Sequence, residues 1–198
     1  MLENPNLKRL LKHGRKIRVI GFDDAPFTDT KEISVKIVGV VCSNTRIEGM
    51  LFDQAAKDGD DATTVIIAML RRSKFLTQLN ILLLDGIAVG GFNIIDLKKL
   101  NSALNIPCVA VMRKPPDMPA IQRALRHFPD QKQRLEKIQR AGRIHQIGGF
   151  VFQVHGTSPV QTAEVLARLT DTGKVPEALR LAHLIGSAVM TGESGRRA

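Results

Sequence analysis

The stretch QLNILLLDG, residues 78–86, decides the fold. Its nearly continuous apolar run covers residues 78–84 and stops at the pair Asp85-Gly86. Apolar runs of this length, bounded by a turn signal, are typical of parallel strands buried on both faces of a sheet. The stretch therefore predicts the central strand of an α/β sheet, with a carboxylate where the strand ends.

Further strands are predicted on both sides of this central one. The run KIRVIGF, residues 16–22, ends at the breaker cluster Asp23-Asp24-Ala25-Pro26 and predicts the first strand. Asn44 and Thr45 separate two more runs that predict an antiparallel hairpin. The remaining predicted strands cover residues 33–43 and 46–54, which form that hairpin, and 106–112 and 149–155.

Helices are predicted between and after these strands. They cover residues 5–13, 62–75, 93–104, 118–128 and 131–142, and two closing helices start near Pro159 and Pro176. Three hairpin-type strands followed by alternating helices and parallel strands are the order of the ribonuclease H-like fold, an α/β class with helices on both faces of a mixed sheet. Other α/β topologies also fit this order.

Length and composition indicate one globular domain over residues 1–198. Residues 1–15 are interpreted as an N-terminal helical extension, and residues 192–198, which are small or charged, as a mobile tail. Cys42 and Cys108 lie in separate apolar stretches and are expected to be reduced core thiols. No apolar run approaches the length of a membrane span, so the cytoplasm is the expected compartment.

The charge balance favours a polyanionic partner. The net charge is +10, which is typical of proteins that bind nucleic acid, although a surplus that only aids solubility is the alternative. Trp and Tyr are absent, which argues against recognition of bases by stacking. One predicted helix region has a local excess of basic residues that fits either a phosphate-binding face or a solvated face. These residues are Lys132, Arg134, Lys137, Arg140 and Arg143, against Glu136.

Acidic residues occur where two apolar strands stop. Asp23, with Asp24 beside it, follows the first strand, and Asp85 follows the central strand. If these strands are parallel neighbours, both carboxylates project from one edge of the sheet. A third cluster, Asp58, Asp60 and Asp61, precedes the helix between them. Oxygen ligands of this kind suit Mg²⁺ or Mn²⁺, whereas each residue taken singly also fits a turn or a helix cap.

Several segments together resemble an archaeal family of unknown function that is related to endonuclease V. The resemblance runs from about residue 16 to the C-terminus. Its most distinctive parts are LLLDGIAVGGFN and PEALRLAHLIGSAVMTGES. The segments RVIGFDDAPF, DGDDAT and IPCVAVMRKPP complete it.

The resemblance implies a site for Mg²⁺ or Mn²⁺ at which nucleic acid is cleaved. It implies that Asp23, Asp61, Asp85 and His183 are the metal ligands, with Asp58 competing with Asp61 for the middle acidic position. Arg113 stands where the related enzyme has a functional lysine, and Lys114 follows it, so these two complete the candidate catalytic set. The aromatic wedge beside the lesion pocket of endonuclease V has no counterpart here, so inosine specificity does not carry over.

Three functions fit these observations. The first is a metal-dependent phosphodiesterase, an endonuclease that acts on DNA or RNA. The second is a nucleic-acid-binding protein with the same scaffold and little catalysis. The third is a metal-dependent hydrolase of a small nucleotide. No membrane association and no obligate protein partner is predicted.

Overall fold

The computed structural model describes residues 2–27 and 33–194. Seven strands form one mixed sheet in the order β3-β2-β1-β4-β7-β9-β8, and β5 pairs with β6 in a separate small hairpin. The strands are β1 (Arg18–Asp24), β2 (Ser34–Ser43), β3 (Arg46–Ala56), β4 (Ile81–Asp85), β5 (Ala88–Val89), β6 (Asn93–Ile94), β7 (Cys108–Met112), β8 (His145–Ile147) and β9 (Phe150–His155). The helices are α1 (Pro5–Lys12), α2 (Ala62–Arg71), α3 (Leu97–Leu104), α4 (Met118–Leu125), α5 (Gln131–Arg140), α6 (Pro159–Arg168) and α7 (Glu177–Thr191).

The three central strands run in the same direction. β1 pairs in parallel with β4, and β4 pairs in parallel with β7. The antiparallel meander β1-β2-β3 flanks them on one side, and β9 and β8 flank them on the other. The predicted α/β class, its ribonuclease H-like order and the central position of residues 81–85 are therefore confirmed. β9 runs antiparallel to β7, and β8 runs antiparallel to β9.

The strand β4 is buried on both faces because two hydrophobic cores use alternate residues of it. Leu82 and Leu84 belong to the core beneath α2 and α3, whereas Ile81 and Leu83 belong to the core beneath α1, α6 and α7. Leu7 in α1 is fully buried in the second core. The helix predicted as an N-terminal extension thus packs against α6 and is part of the second core.

A third, smaller cluster lies beyond the end of β4. Ile94, Leu125 and Ile138 are its buried members, so it joins the β5-β6 hairpin to α4 and α5. The hairpin explains one wrong prediction: residues 93–104 are not one helix, because α3 begins at Leu97 after the N-cap residue Asp96. The side chain of Asn93 is buried; it accepts a hydrogen bond from the N–H of Ala62 and donates one to the carbonyl of Ala56. Residue 93 therefore belongs to the hairpin and not to a helix.

Three smaller predictions concern the C-terminal tail, membrane-spanning helices and the cysteines. Residues 195–198 of the predicted mobile tail lie outside the described residues, and α7 ends at Gly192, which adopts the left-handed conformation. Among the helices of the described residues, none has the length and apolar character that crossing a membrane requires. Both cysteines are buried free thiols, as predicted.

Candidate metal centre

Strand alternation places three candidate residues on one face of the sheet, at one edge. Side chains two apart on a strand point to the same face. Asp23, Asp85 and Arg113 therefore continue the rows of buried residues that face α7 and α6. Those rows are Val19 and Gly21 in β1, Ile81 and Leu83 in β4, and Val109 and Val111 in β7.

Two glycines bring the helix α7 close to β1. A Cβ atom on Gly21 would lie 2.7 Å from the backbone carbon of Ala178, and one on Gly186 would lie 3.1 Å from the Cα of Ala25. The helix α7 thus approaches the β1 segment closely at Ala178 and again at Gly186. His183 lies between these two residues of the helix. Sequence analysis did not identify either glycine, although a glycine inside a strand often marks a close backbone approach.

The resulting cluster contains Asp23, Asp85 and His183. Each offers one ligand atom, and these atoms all lie within 4.8 Å of one another. The Nδ1 atom of His183 is 3.0 Å from Oδ2 of Asp23. The guanidinium Nη2 of Arg113 is 3.6 Å from Oδ2 of Asp85, a loose ion pair at the outer side of the cluster.

The cluster places a buried carboxylate among other carboxylates. Asp23 is only 5% exposed. Burial, followed by the nearby charges of Asp85 and Asp24, raises the pKa of Asp23 to about 7, although the hydrogen bond with His183 opposes this shift. The site is therefore short of positive charge, which a bound cation would supply.

Asp24 points to the other face of the sheet and binds the β5-β6 hairpin. Its Oδ2 accepts a hydrogen bond of 2.9 Å from the backbone N–H of Gly90. Its own N–H donates to Oδ1 of Asp23 at 2.9 Å. Burial raises the pKa of Asp24, and the Gly90 hydrogen bond partly offsets that effect. Asp24 thus connects the cluster to the loop between β5 and β6.

The structure does not bring Asp61 or Asp58 into the cluster. Asp61 accepts hydrogen bonds from the backbone N–H of Ala56 and, at 2.7 Å, from the side chain of Asn93. Asp58 accepts a bond of 2.8 Å from the N–H of Phe92. These oxygens hold loops together, so the predicted ligand role of Asp61 has no geometric support here. The sequence could not show this, because a position just before α2 fits a helix cap and a metal ligand equally well.

The basic residues fall into two groups. Arg113 and Lys114 follow β7 and are exposed, so they are accessible to a substrate at the cluster. Most of the basic residues predicted as a phosphate-binding face of α5 have protein partners instead. Arg134 is buried, Lys137 pairs with Asp60, and Arg140 pairs with Asp96.

The three cluster residues fit a divalent cation. Two carboxylates and one imidazole form a mixed oxygen and nitrogen set, which suits Mn²⁺ well and Mg²⁺ through its oxygens. Neither Cys42 nor Cys108 belongs to the cluster. An ion at this position would also neutralise the mutual repulsion of Asp23 and Asp85.

A cavity of about 410 Å³ opens near the ends of β4 and β7, and none of the cluster residues lines it. Gly86 and Met112 form part of its wall, and each is the sequence neighbour of a site residue, Asp85 or Arg113. The rest of the wall comes mainly from α4, α5 and the segment before β9, and it is mostly apolar. The side-chain amides of Gln139 and Gln153 contribute polar groups to it.

Sequence comparison identifies relatives over almost the whole chain. Residues 15–190 match the family model described as Endonuclease dU. A protein from Methanothermobacter thermautotrophicus named UPF0215 protein is 41% identical over 198 residues, which cover 98% of this chain and 96% of that relative.

Comparison with solved structures gives the same result. A protein of unknown function from Archaeoglobus fulgidus is 35% identical, has a TM-score of 0.82, and the match covers 88% of this chain and 98% of that one. Human endonuclease V has a TM-score of 0.62 at 15% identity, with 93% and 89% covered. Endonuclease V of Ciona intestinalis, solved in complex with DNA containing an inosine, has a TM-score of 0.56 at 15% identity, with 90% and 92% covered. The chain therefore belongs to the endonuclease dU family and has the fold of endonuclease V.

Proposed function

We propose that this protein is a metal-dependent endonuclease that cleaves a phosphodiester bond of nucleic acid at the Asp23, Asp85 and His183 cluster. One observation supports this proposal above the others. Three ligand-type side chains from β1, β4 and α7 converge at one sheet edge, although 98 residues separate Asp85 from His183 in a chain of 198. Carboxylates do not gather in this way without a compensating charge. The family description and the fold of endonuclease V favour the same class of reaction.

The side chains have distinct roles in this proposal. Asp23, Asp85 and His183 would hold Mg²⁺ or Mn²⁺, which can activate water and stabilise the leaving oxygen of a phosphate displacement. The hydrogen bond between Asp23 and His183 fixes the orientation of the imidazole ring. Arg113 is half-exposed beside Asp85, so its guanidinium is placed to bind a phosphate oxygen of the substrate.

In this proposal the cavity lined by Gly86 and Met112 would accept a base. Its 410 Å³ exceeds the volume of one nucleobase, and its apolar wall with two amides suits an uncharged base turned out of its strand. The family description, endonuclease dU, makes deoxyuridine the nucleoside to test first. The net charge of +10 favours binding to a polymer rather than to a free nucleotide.

A cleavage screen tests this proposal. End-labelled single-stranded and duplex DNA and RNA, with one deoxyuridine, one inosine or no modification, would be incubated with Mg²⁺ or Mn²⁺. The matched variants are Asp85→Asn in the cluster and Asp53→Asn on β3, whose carboxylate pairs with Arg72 at the surface. We expect cutting by the wild type and by Asp53→Asn, and binding without cutting by Asp85→Asn.

Two other outcomes would contradict the proposal. Binding to all polymers without cutting by the wild type would indicate a nucleic-acid-binding protein on this scaffold. Turnover of free nucleotides with flat gel shifts would indicate a small-substrate hydrolase.

A further inference from the structure

Arg134 is a buried cation in the middle of a surface helix. Its side chain is 6% exposed, and its Nε donates a hydrogen bond of 2.8 Å to Asp130 one turn earlier in α5. Its Cζ lies 4.4 Å from the centre of the Phe128 ring. A buried guanidinium destabilises a protein unless its donors are satisfied, so the two contacts that its terminal nitrogens make are informative.

Those two nitrogens bind two different loops. Nη1 donates to the backbone carbonyl of Phe92 in the β5-β6 hairpin, and Nη2 donates to the carbonyl of Asp58 at 2.8 Å. The loops are also bonded to each other, because the N–H of Asp58 donates to the carbonyl of Gly90 at 2.8 Å. Asp58 has a φ of 53°, a left-handed conformation that few non-glycine residues adopt. Arg134 thus fastens a strained turn to the hairpin.

From the hairpin, hydrogen bonds continue to the metal cluster. Gly90 donates its N–H to Asp24, and Asp24 donates its N–H to Oδ1 of Asp23, each at 2.9 Å. The other oxygen of Asp23 contacts His183 at 3.0 Å. An unbroken series of contacts therefore joins α5 to the cluster through backbone groups that Arg134 holds in place.

We propose that Arg134 is a positioning residue for the metal cluster, acting through Asp58, Gly90 and Asp24. The inference rests on the proposed function only for its effect on cleavage, since the series of contacts exists without a substrate. Arginine suits this role because its planar fork binds two carbonyls at fixed angles, whereas lysine offers a single flexible ammonium group. Arg134, which the sequence suggested for a phosphate-binding face of α5, therefore has a different role in this proposal.

The test compares Arg134→Met and the milder Arg134→Lys with two controls. Arg140→Gln removes another ion pair of α5, the one with Asp96. Leu125→Ala opens the small core under α4, which also packs Phe92, but removes none of the hydrogen bonds of the series. The first readout is amide hydrogen exchange at Asp24, Gly90 and Phe92 in the metal-free protein. The second is Mn²⁺ affinity measured by electron paramagnetic resonance, and the third is cleavage.

We expect both Arg134 variants to accelerate exchange at Asp24, Gly90 and Phe92 and to weaken Mn²⁺ binding by about tenfold or more, the usual effect of losing a group that orients a metal ligand. Leu125→Ala and Arg140→Gln should lower thermal stability but leave the exchange of the Gly90 and Asp24 amides and the Mn²⁺ affinity near the wild-type values. Arg134→Lys, which keeps the charge, should fall between Arg134→Met and the wild type.

Wild-type exchange at Gly90 and Asp24 in both Arg134 variants would overturn the inference, as would equal effects of Leu125→Ala. Exchange is measured without metal or substrate, so these outcomes are separate from a failure of the proposed function. If the wild type binds Mn²⁺ but does not cut, the endonuclease proposal fails, and altered exchange and Mn²⁺ affinity in the Arg134 variants would still support the positioning role.

Discussion

The Nδ1 atom of His183 lies 3.0 Å from Oδ2 of Asp23, although 160 residues separate the two in sequence. This contact exists because α7 packs directly on β1, with glycine on each side of the interface. It places an imidazole next to a buried carboxylate at the sheet edge where Asp85 also ends its strand. The predictions below follow from this arrangement.

Asp23→Asn should stabilise the metal-free protein at alkaline pH. The pKa of Asp23 is raised to about 7 in the folded state, chiefly by burial, so the folded protein holds a proton that the unfolded chain releases near its ordinary pKa of 3.8. Stability from this group is full below that ordinary value and is lost as the pH rises through about 7. We expect the variant to raise the free energy of unfolding at pH 8 by about 1–3 kcal/mol in chelator, measured by urea denaturation.

The control for this prediction is Asp53→Asn, which removes a surface carboxylate paired with Arg72. It should give no stabilisation at pH 8. A loss of stability in Asp23→Asn at that pH would show that the ionised carboxylate is well accommodated without a cation.

Gly21→Ala should displace α7 more than Gly186→Ala does. A Cβ at Gly21 meets backbone atoms at 2.7 and 2.8 Å, whereas one at Gly186 meets Ala25 at 3.1 Å. We expect Gly21→Ala to lower the free energy of unfolding by about 1–3 kcal/mol, the usual cost of overpacking. Its Mn²⁺ affinity should also fall, because His183 moves with the helix. Equal Mn²⁺ affinity in Gly21→Ala and the wild type would show that metal binding at the cluster does not depend on the position of α7.

Asp61→Asn should affect the stability of the protein, whereas Asp85→Asn should affect its Mn²⁺ binding. Asp61 accepts hydrogen bonds from Ala56 and Asn93, so its replacement should lower thermal stability and leave Mn²⁺ affinity within about threefold of the wild type. Asp85→Asn should lose most Mn²⁺ affinity, because Asp85 belongs to the cluster. Isothermal titration calorimetry with Mn²⁺ measures both. A large loss of affinity in Asp61→Asn would restore it as a ligand.

Arg113→Gln should weaken polymer binding without removing metal binding. The guanidinium is half-exposed and only loosely paired with Asp85. Loss of one phosphate contact reduces the dependence of log affinity on log salt concentration by about one unit. Fluorescence anisotropy with single-stranded DNA at several salt concentrations measures this slope. Lys74→Gln, in the exposed segment before β4 and thus at the opposite end of that strand from Asp85, is the charge-matched control. Equal slopes for the two variants would argue against a specific role of Arg113.

Much of the fold could be predicted from local sequence. The apolar run before Asp85 indicated a strand buried on both faces, and β4 is that strand. The β5-β6 hairpin and β8 were missed because strands of two or three residues have too little periodicity to detect.

The site was less accessible to prediction than the fold. Asp23 and Asp85 follow from strand ends, since parallel neighbours share an edge. His183 required the resemblance to a known family, because its partner is 160 residues away. For Asp61 and Arg134 the sequence shows only the charge. The three-dimensional structure is needed to see that both side chains form hydrogen bonds that connect loops.

The most direct test of the account is a crystal structure of the wild-type protein soaked in Mn²⁺, with anomalous diffraction data. The account predicts one strong anomalous peak in contact with Asp23, Asp85 and His183, and its loss in Asp85→Asn crystals soaked in the same way. A peak at other residues, with none at this cluster, would contradict it.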